Sequence, residues 1–239
     1  MNGSADAMNK PKDKNKPSAD AVPKAVVNRL SLYLRELQRL QRDEVVTTSS
    51  TQLGQLLGFT DAQVRKDLAH FGQFGYPGVG YRCSELVTAI KQIIGTDHSW
   101  PVVLAGVGNL GRALLGHRGF GRQGFDIVAA VDSDPAKQGR ILEGIEIRPI
   151  SNLPEIVVEF DIRLAIIAAP ASAAQEVAER IVAAGIFGIL NFAPITLHLP
   201  PEIAVSSVDL AIEMEQLSFA MTNLRPADDL LGNGDSLAD

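Results

Sequence analysis

A glycine-rich segment near the middle of the chain has the residue types and spacing needed to hold a pyrophosphate. Its glycines follow the pattern G-x-G-x-x-G, after an apolar stretch at 101–105 and before a short helix predicted over 112–117. The first glycine permits a tight turn, the second lets the backbone approach a phosphate without a Cβ in between, and the third allows close helix–strand packing. Free amides at the helix N-terminus would bind the phosphates. The candidate residues are Gly106, Val107, Gly108, Asn109, Leu110 and Gly111.

An acidic residue ends the next predicted strand, at 125–131. Asp132 lies twenty-one residues after Gly111, close to the spacing of about twenty that dinucleotide-binding sites show. A carboxylate at this point accepts hydrogen bonds from the adenosine ribose and repels a 2′-phosphate, so NAD(H) is favoured over NADP(H). The alternative is that Asp132 only ends the strand, or caps the next helix together with Ser133 and Asp134.

The residues after Trp100 alternate between short apolar runs and helical patterns, which is typical of an α/β domain with a parallel sheet. Helices are predicted over 172–184 and 209–223, the second with apolar residues along one face. Three further strands are predicted at 145–147, 164–168 and 188–192. With the glycine motif placed between strand and helix, the pattern predicts a Rossmann-like domain.

The first third of the chain predicts a winged helix-turn-helix. Residues 26–42 form an amphipathic pattern, and hydroxyl residues at 48–50 can cap a second helix that ends at Gly58. A capping-box pattern at Thr60 opens a third helix immediately afterwards, so that two short helices are joined by a tight turn. Glycines then alternate with aromatic residues over 72–81, which favours a hairpin of the wing type.

The third helix carries side chains with which a recognition helix meets DNA. Glutamine can pair with adenine and arginine with guanine in the major groove, while the other polar groups would contact phosphate or the minor groove. The alternative is that Arg65 and Lys66 form an ordinary solvated face, paired with Asp61 or Asp67. The candidate DNA-binding residues are Ser49, Ser50, Gln63, Arg65, Lys66 and Tyr76.

The charge of the chain is unevenly distributed. Residues 1–82 hold twelve Lys and Arg against eight Asp and Glu, whereas the remaining residues hold ten against twenty, for a net charge of −6. A basic N-terminal part is expected of a protein that meets an anionic partner, although the lysine-rich segment at 1–24 supplies half of this excess.

Composition excludes several other classes of protein. No apolar run approaches the ~20 residues of a membrane helix, and the polar N-terminus lacks the apolar core of a secretory signal. A single cysteine, Cys83, cannot form an internal disulfide, and nothing near it indicates a metal site. We therefore expect a cytoplasmic protein with no metal and no membrane partner.

Three segments together resemble the bacterial redox-sensing repressor family Rex. They are SSTQLGQLLGFTDAQVRKDLAHFGQFGYPGVGY from residue 49, GVGNLGRALLGHRGFGRQGFDIVAAVDSDPAKQG from residue 106 and ILNFAP from residue 189. The resemblance spans about residues 25–225. Its most specific part is QVRKD followed by FG-x-FG-x-x-G-V-G-Y.

The resemblance implies a homodimer whose winged helices bind double-stranded operator DNA with palindromic symmetry. The Rossmann domains would bind NADH at the dimer interface, and the C-terminal helix at 209–223 would be exchanged between subunits. NADH would close the dimer and release the DNA, whereas NAD+ would leave it competent to bind. By position, the residues beside the ribose and nicotinamide are Ala169, Pro170, Asn191, Phe192 and Ala193.

The implied organisation runs from a disordered tail at 1–24, through a winged-helix domain with a linker helix at 25–98 and a Rossmann domain at 99–208, to a dimerisation helix at 209–225 and a flexible tail at 226–239. One position departs from the family. His117 stands where relatives often carry a tyrosine whose hydroxyl helps link cofactor binding to dimer closure. A pH-sensitive coupling and a plain surface histidine are both open at this position.

A preference for NADH has a physical reason, because an apolar pocket formed by Phe192, Ala193, Pro194 and Phe120 would disfavour the cationic oxidised ring. The rival interpretation is an NAD-dependent dehydrogenase, which would need a general acid or base near the nicotinamide. Of the four histidines only His117 lies near the expected site, and the sequence has no lysine after Lys137. We therefore expect that this protein is not an enzyme. A second rival, a nucleotide- or CoA-binding module without a DNA partner, is disfavoured by Asp132 and by the QVRKD helix.

Overall fold

The computed structural model describes residues 22–223, and the chain divides into two compact units between His98 and Ser99. The tail predicted at 226–239, and all but the last three residues of the tail predicted at 1–24, lie outside the described residues. Among the described helices, none is both long enough and apolar enough to cross a membrane.

The first unit is a three-stranded antiparallel sheet with four helices, in the winged helix-turn-helix arrangement that the sequence predicts. The strands are paired in the order β1-β3-β2. In chain order the elements are α1 (Lys24–Arg42), β1 (Thr47–Thr48), α2 (Ser50–Leu57), α3 (Asp61–Ala69), β2 (Gly75–Tyr76), β3 (Gly80–Arg82) and α4 (Cys83–Ile94).

The two short helices of this unit begin at different kinds of cap. Ser49 forms a complete capping box, because its Oγ accepts from the Gln52 amide at 3.1 Å while its own amide donates to Gln52 Oε1 at 3.3 Å. The capping box predicted at Thr60 is only half formed. Thr60 Oγ1 accepts from the Gln63 amide at 3.1 Å, but the Gln63 side chain donates to Asp67 instead of returning to the cap.

The core of the first unit is built by the apolar faces of α1 and α4, closed by α2 and α3. Leu30, Leu37 and Ile90 are fully buried within it, together with Leu53 of α2. Burying a side chain of this size stabilises a fold by about 1.5–3 kcal/mol. The helix-turn-helix is thereby packed against α1, and its outer face is left to solvent.

The second unit is a seven-stranded sheet in the order β10-β9-β8-β4-β5-β7-β6, parallel throughout except for the β6–β7 pair. This is the order of a Rossmann domain, as predicted. Its strands are β4 (Trp100–Ala105), β5 (Phe125–Asp132), β6 (Ile141–Leu142), β7 (Ile145–Pro149), β8 (Leu164–Ile167), β9 (Gly188–Asn191) and β10 (Ala204–Ser207). Its helices are α5 (Asn109–Leu115), α6 (Gly119–Arg122), α7 (Leu153–Phe160), α8 (Ala171–Ala183) and α9 (Leu210–Asn223).

Several elements of the second unit were not expected from the sequence. β10 is exposed at every residue, so it lacks the apolar run by which the other parallel strands are recognised. α7 is only eight residues long and carries adjacent valines, a pattern that favours a strand as much as a helix. α5 begins at Asn109, three residues earlier than predicted, which brings its first turn into the glycine motif itself.

The last described helix, α9, buries none of its residues. Leu210, Met214, Leu217 and Met221 lie along one side and Ile212 and Phe219 along the other, and all six are exposed by 49–73%. A lone helix of this length is only marginally stable in water, and exposed apolar groups on two sides are unfavourable. We therefore expect α9 to bury these apolar groups against another surface.

Candidate nucleotide-binding and DNA-binding sites

A cleft of about 450 Å³ opens at the carboxyl ends of the parallel strands of the second unit. Its floor includes the loop after β4 and residues that follow β5 and β8. β4 lies between β5 and β8, at the point where the strand order reverses direction. Open α/β sheets bind their ligands at this switch point.

The three glycines of the motif have three different structural requirements. Gly106 has a φ of +97°, and a Cβ there would lie 2.7 Å from the carbonyl oxygen of Ala168. At Gly111 a Cβ would collide with the carbonyl oxygen of Gly106. Gly108, by contrast, has an ordinary φ of −81° and no atom within 4 Å of an added Cβ. Gly108 is therefore not required for packing, and its missing side chain leaves room in the cleft that it lines.

Asp132 is held by three protein donors at the edge of the cleft. Its Oδ2 accepts from the Val107 amide at 2.7 Å and from Lys137 Nζ at 2.9 Å, and its Oδ1 accepts from the Asp134 amide at 2.9 Å. Burial alone would raise the pKa of Asp132, but the bonds from the Asp134 and Val107 amides and from Lys137 outweigh it, so the pKa is lowered. The group is thus a carboxylate at neutral pH, and it joins the glycine loop to the end of β5.

Eight of the twelve predicted cofactor residues line the cleft, namely Gly106, Gly108, Asn109, Leu110, Asp132, Ala169, Pro170 and Phe192. The other four lie behind its surface. The Val107 side chain and Gly111 are buried under the loop. Asn191 is fully buried, and its amide group bonds to the backbone of Ala193 and Ile195, which fixes the loop that presents Phe192. A direct cofactor contact by any of the twelve residues stays a prediction.

Other residues that line the cleft were not singled out from the sequence. Lys137 and Asp134 bring charge to the side near Asp132, and Ile150, Ala173 and Val177 add apolar surface. Lys137 could have been found, because it lies only five residues after Asp132. His117 and Phe120 are not among the lining residues. Their rings meet edge to face at 5.1 Å, with His117 exposed.

The predicted DNA-binding residues lie on α3, at the start of α2 and in the wing, and most are already engaged. Arg65 Nη1 lies 2.7 Å from Asp61 Oδ2 and donates to Ser50 Oγ at 3.2 Å. Ser50 is buried, whereas Ser49 is half-buried at its cap. Lys66 is exposed and makes no ion pair with any described residue. The sequence left Asp61 and Asp67 open as partners, and in the structure Arg65 pairs with Asp61.

The wing carries a small polar cluster. The Tyr76 hydroxyl donates to Glu85 Oε2 at 3.0 Å, and the Arg82 guanidinium lies over the Tyr76 ring, 5.0 Å from its centre. Arg82 Nη1 also lies 3.0 Å from Glu85 Oε1. Tyr76 is thus anchored to the first turn of α4, and Arg82 is an exposed cation of the wing that sequence reasoning missed.

A buried carboxylate joins α3 to α1. Asp67 is 1% exposed and accepts four hydrogen bonds: two from Arg29, at 2.6 and 2.8 Å, and one each from the Tyr33 hydroxyl and Gln63 Nε2, both at 2.8 Å. Burial alone would raise the pKa of Asp67, but the bonds from Arg29, Tyr33 and Gln63 outweigh it and lower the pKa. Gln63 is therefore directed inward, away from the position from which it would read a base.

Residues 22–223 give no support for a metal site or for a reactive cysteine. No group of three or more His, Cys, Asp or Glu side chains in this part of the chain is placed to hold a metal ion. Cys83 is buried, and burial raises the pKa of its thiol. A buried thiol of raised pKa is chemically inert.

Comparison with known protein families gives two matches. Residues 21–69 match a family described as "Putative DNA-binding protein N-terminus". Residues 97–195 match the family described as "CoA binding domain". The first match lies in the first structural unit, and the second lies in the second unit apart from its first two residues.

Curated and solved relatives cover most of the chain. The redox-sensing transcriptional repressor Rex of Pelotomaculum thermopropionicum is 45% identical over 198 residues, which are 83% of this chain and 93% of the relative. The crystal structure of RSP, a Rex-family repressor, in complex with β-NAD+ and operator DNA is 31% identical with a TM-score of 0.81, covering 90% of this chain and 99% of RSP. The RSP complex with β-NADH is 30% identical with a TM-score of 0.76, covering 88% and 97%.

Proposed function

This chain belongs to the Rex family of redox-sensing transcriptional repressors, and from that membership we propose that it binds operator DNA through its first unit and leaves the DNA when NADH enters the cleft of its second. One observation carries the proposal. A winged helix and a glycine-lined cleft occur in one chain whose fold follows that of a repressor solved with NAD+ and operator DNA together. The family is one of regulators rather than enzymes, so the dehydrogenase interpretation is abandoned.

The residues of the cleft fit a dinucleotide. Gly108 leaves the space that a pyrophosphate needs and stands at the N-terminus of α5, whose first amides would donate to the phosphates. The ribose of the adenosine half would lie by Asp132. The apolar wall with Pro170 and Phe192 would receive the nicotinamide half. When bound, NADH supplies the redox state that the protein reads, and the chain itself only binds and orients it.

Discrimination between the two redox forms follows from the character of that wall. The oxidised nicotinamide ring is a cation and the reduced ring is neutral. Burying an unpaired charge among apolar groups is unfavourable by several kcal/mol. The lining residues that follow β8 and β9, namely Ala168, Ala169, Pro170 and Phe192, carry no charge. The reduced form is therefore the ligand that this half of the cleft accepts more readily.

DNA binding is assigned to the exposed face of α3 with the caps and wing beside it. Lys66 is available to a phosphate, and Arg65 would exchange its pairing with Asp61 for a base or phosphate. Breaking the exposed Arg65–Asp61 pair would cost little stability, because exposed ion pairs contribute only about 0–1 kcal/mol. Tyr76 and Arg82 would face the backbone or minor groove from the wing. Gln63 is the weakest of the predicted contacts, since it is bonded to Asp67.

The proposed assembly is a homodimer formed through α9. Its apolar residues lie on two opposite sides, as expected of a helix that is enclosed by a second subunit rather than laid on one surface. A dimer also places two winged helices at the two half-sites of a palindrome. The protein would act in the cytoplasm, where both operator DNA and the nicotinamide pool are found.

We expect Leu217→Glu to convert the dimer to a monomer, because a charge would replace one of the exposed leucines of α9. Operator affinity should fall by roughly 100-fold, since linked binding at two half-sites gains 10²–10⁴ over one. Light scattering after gel filtration and a gel shift measure the two effects. Gln216→Glu, which adds the same charge at the neighbouring residue, is the control. A Leu217→Glu dimer with full affinity would contradict the assignment.

The function itself is tested by a gel shift with a palindromic operator fragment in the presence of NADH, NAD+, NADPH or CoA. We expect NADH to release the DNA and NAD+ and CoA to leave it bound. Binding should weaken steeply with salt, as phosphate contacts require. An operator complex that survives saturating NADH would refute the switch. Release by CoA alone would favour the ligand named by the second matching family.

A further inference from the structure

One lysine stands at the adenosine end of the cleft and forms a charged cluster with two carboxylates. Lys137 Nζ lies 2.9 Å from Asp132 Oδ2 and 3.9 Å from Asp134 Oδ2. All three residues line the cleft, and the other lining residues within the described part of the chain are uncharged. The electrostatic character of this end therefore depends on these three groups.

The cluster changes the role that Asp132 was given from the sequence alone. Its carboxylate was expected to accept hydrogen bonds from the adenosine ribose and to repel a 2′-phosphate. Oδ2 already accepts from Val107 and Lys137, and Oδ1 already accepts from Asp134. Little acceptor capacity is left for a ribose, and the ammonium offsets the charge that would repel a phosphate.

We propose that Lys137 determines how strongly this protein discriminates NADH from NADPH, by offsetting one of the two carboxylates that meet the 2′ position of the adenosine ribose. The inference rests on the proposed binding of NADH in this cleft. With Lys137 present, the three side chains carry a net charge of −1, and the 2′-phosphate meets moderate repulsion. Without the ammonium the net charge becomes −2, and a phosphate must lie against two uncompensated carboxylates.

The geometry also gives the ammonium a direct contact to make. Lys137 is about one-third exposed, so its group reaches the cleft while it remains bonded to Asp132. An ammonium has three N–H donors, and those not used by Asp132 can donate to a ribose hydroxyl or to a phosphate oxygen. Lys137 thus supplies the donor at a place where the sequence pattern led us to expect only an acceptor.

Dissociation constants of NADH and NADPH for the full-length protein, measured by calorimetry, test the proposal. Lys137→Met should raise the ratio of the NADPH constant to the NADH constant at least tenfold, which corresponds to about 1.4 kcal/mol. Arg140→Met removes the same charge from an exposed residue outside the cleft and should leave the ratio within twofold. Lys137→Arg, which keeps the charge, should retain the wild-type ratio.

Asp134→Asn provides a second arm that does not depend on the stability of the lysine variants. Its side chain is half exposed, and removing its charge should lower the ratio threefold or more. An unchanged ratio in Lys137→Met or in Asp134→Asn, with NADH still bound, overturns the inference and leaves the proposed function intact. Failure of the wild-type protein to bind NADH overturns the proposed function and this inference with it.

Discussion

Replacing Gly108 with valine is expected to leave a repressor that binds its operator normally and no longer responds to NADH. The backbone of Gly108 suits any residue, and a Cβ there meets no atom within 4 Å, so the fold should accept the side chain. The added carbons would occupy the space beside the glycine loop in which the pyrophosphate is proposed to lie. NADH affinity should fall by roughly 100-fold, or about 2.8 kcal/mol.

The control is Gly116→Val, a second glycine without positive φ, at which an added Cβ lies at least 3.8 Å from its neighbours. This variant should bind NADH and release DNA like the wild type. Gly106 and Gly111 are unsuitable for the test, because a Cβ at either would strike backbone and disturb the fold itself. Calorimetry with NADH and a gel shift give the two readouts. A Gly108→Val protein that NADH still removes from DNA would refute the assignment of the cleft.

Replacing Asp67 with alanine is expected to destabilise the first unit selectively. The change leaves the Arg29 guanidinium, the buried Tyr33 hydroxyl and the Gln63 amide without the acceptor that all of them share. Breaking a buried ion pair by removing one partner typically lowers the free energy of unfolding by about 3–5 kcal/mol. Operator binding should be lost together with the orientation of α3.

The aromatic residues allow the two units to be followed separately. All three tyrosines, Tyr33, Tyr76 and Tyr81, belong to the first unit, and the only tryptophan, Trp100, belongs to the second. In urea, the tyrosine signal of Asp67→Ala should change at lower concentration than in the wild type, while the Trp100 signal stays unchanged. Asp43→Ala removes an exposed partner of Arg39 and should change the free energy of unfolding by less than about 1 kcal/mol. Equal effects of the two variants would contradict a structural role for Asp67.

The Asp67 carboxylate should also make the stability of the first unit depend on pH. Because the pKa of Asp67 is lower in the folded protein than its ordinary value of 3.8, the ionised form contributes stability that is fully present above that value. The contribution is lost as the pH falls through the lowered pKa of the folded state. Below this window the wild type and Asp67→Ala should therefore converge in stability.

The glycine motif and Asp132 could be predicted because their requirements are local. A tight turn, a close approach and a strand end each restrict residue type at a fixed position in the chain, and the structure places Gly106 and Asp132 accordingly. The buried strands were equally recognisable from their apolar runs. The helix-turn-helix followed from its caps, of which the one at Ser49 is complete.

What the sequence could not indicate depends on contacts between distant residues. Gln63 has the type and position of a base-reading residue, yet the bond to Asp67, itself held by Arg29 from α1, turns it inward. β10 has no apolar pattern of its own and is defined solely by its pairing with β9.

The burial of Cys83 has a consequence for the kind of stress that this repressor reports. Cys83 carries the only sulfhydryl group of the chain and lies within the apolar core of the first unit. Peroxides and disulfide reagents attack exposed thiolates, and this group is neither exposed nor readily ionised. Transcription under its control would therefore follow the balance of metabolic electron carriers and stay unaffected by an oxidant burst that leaves this balance unchanged.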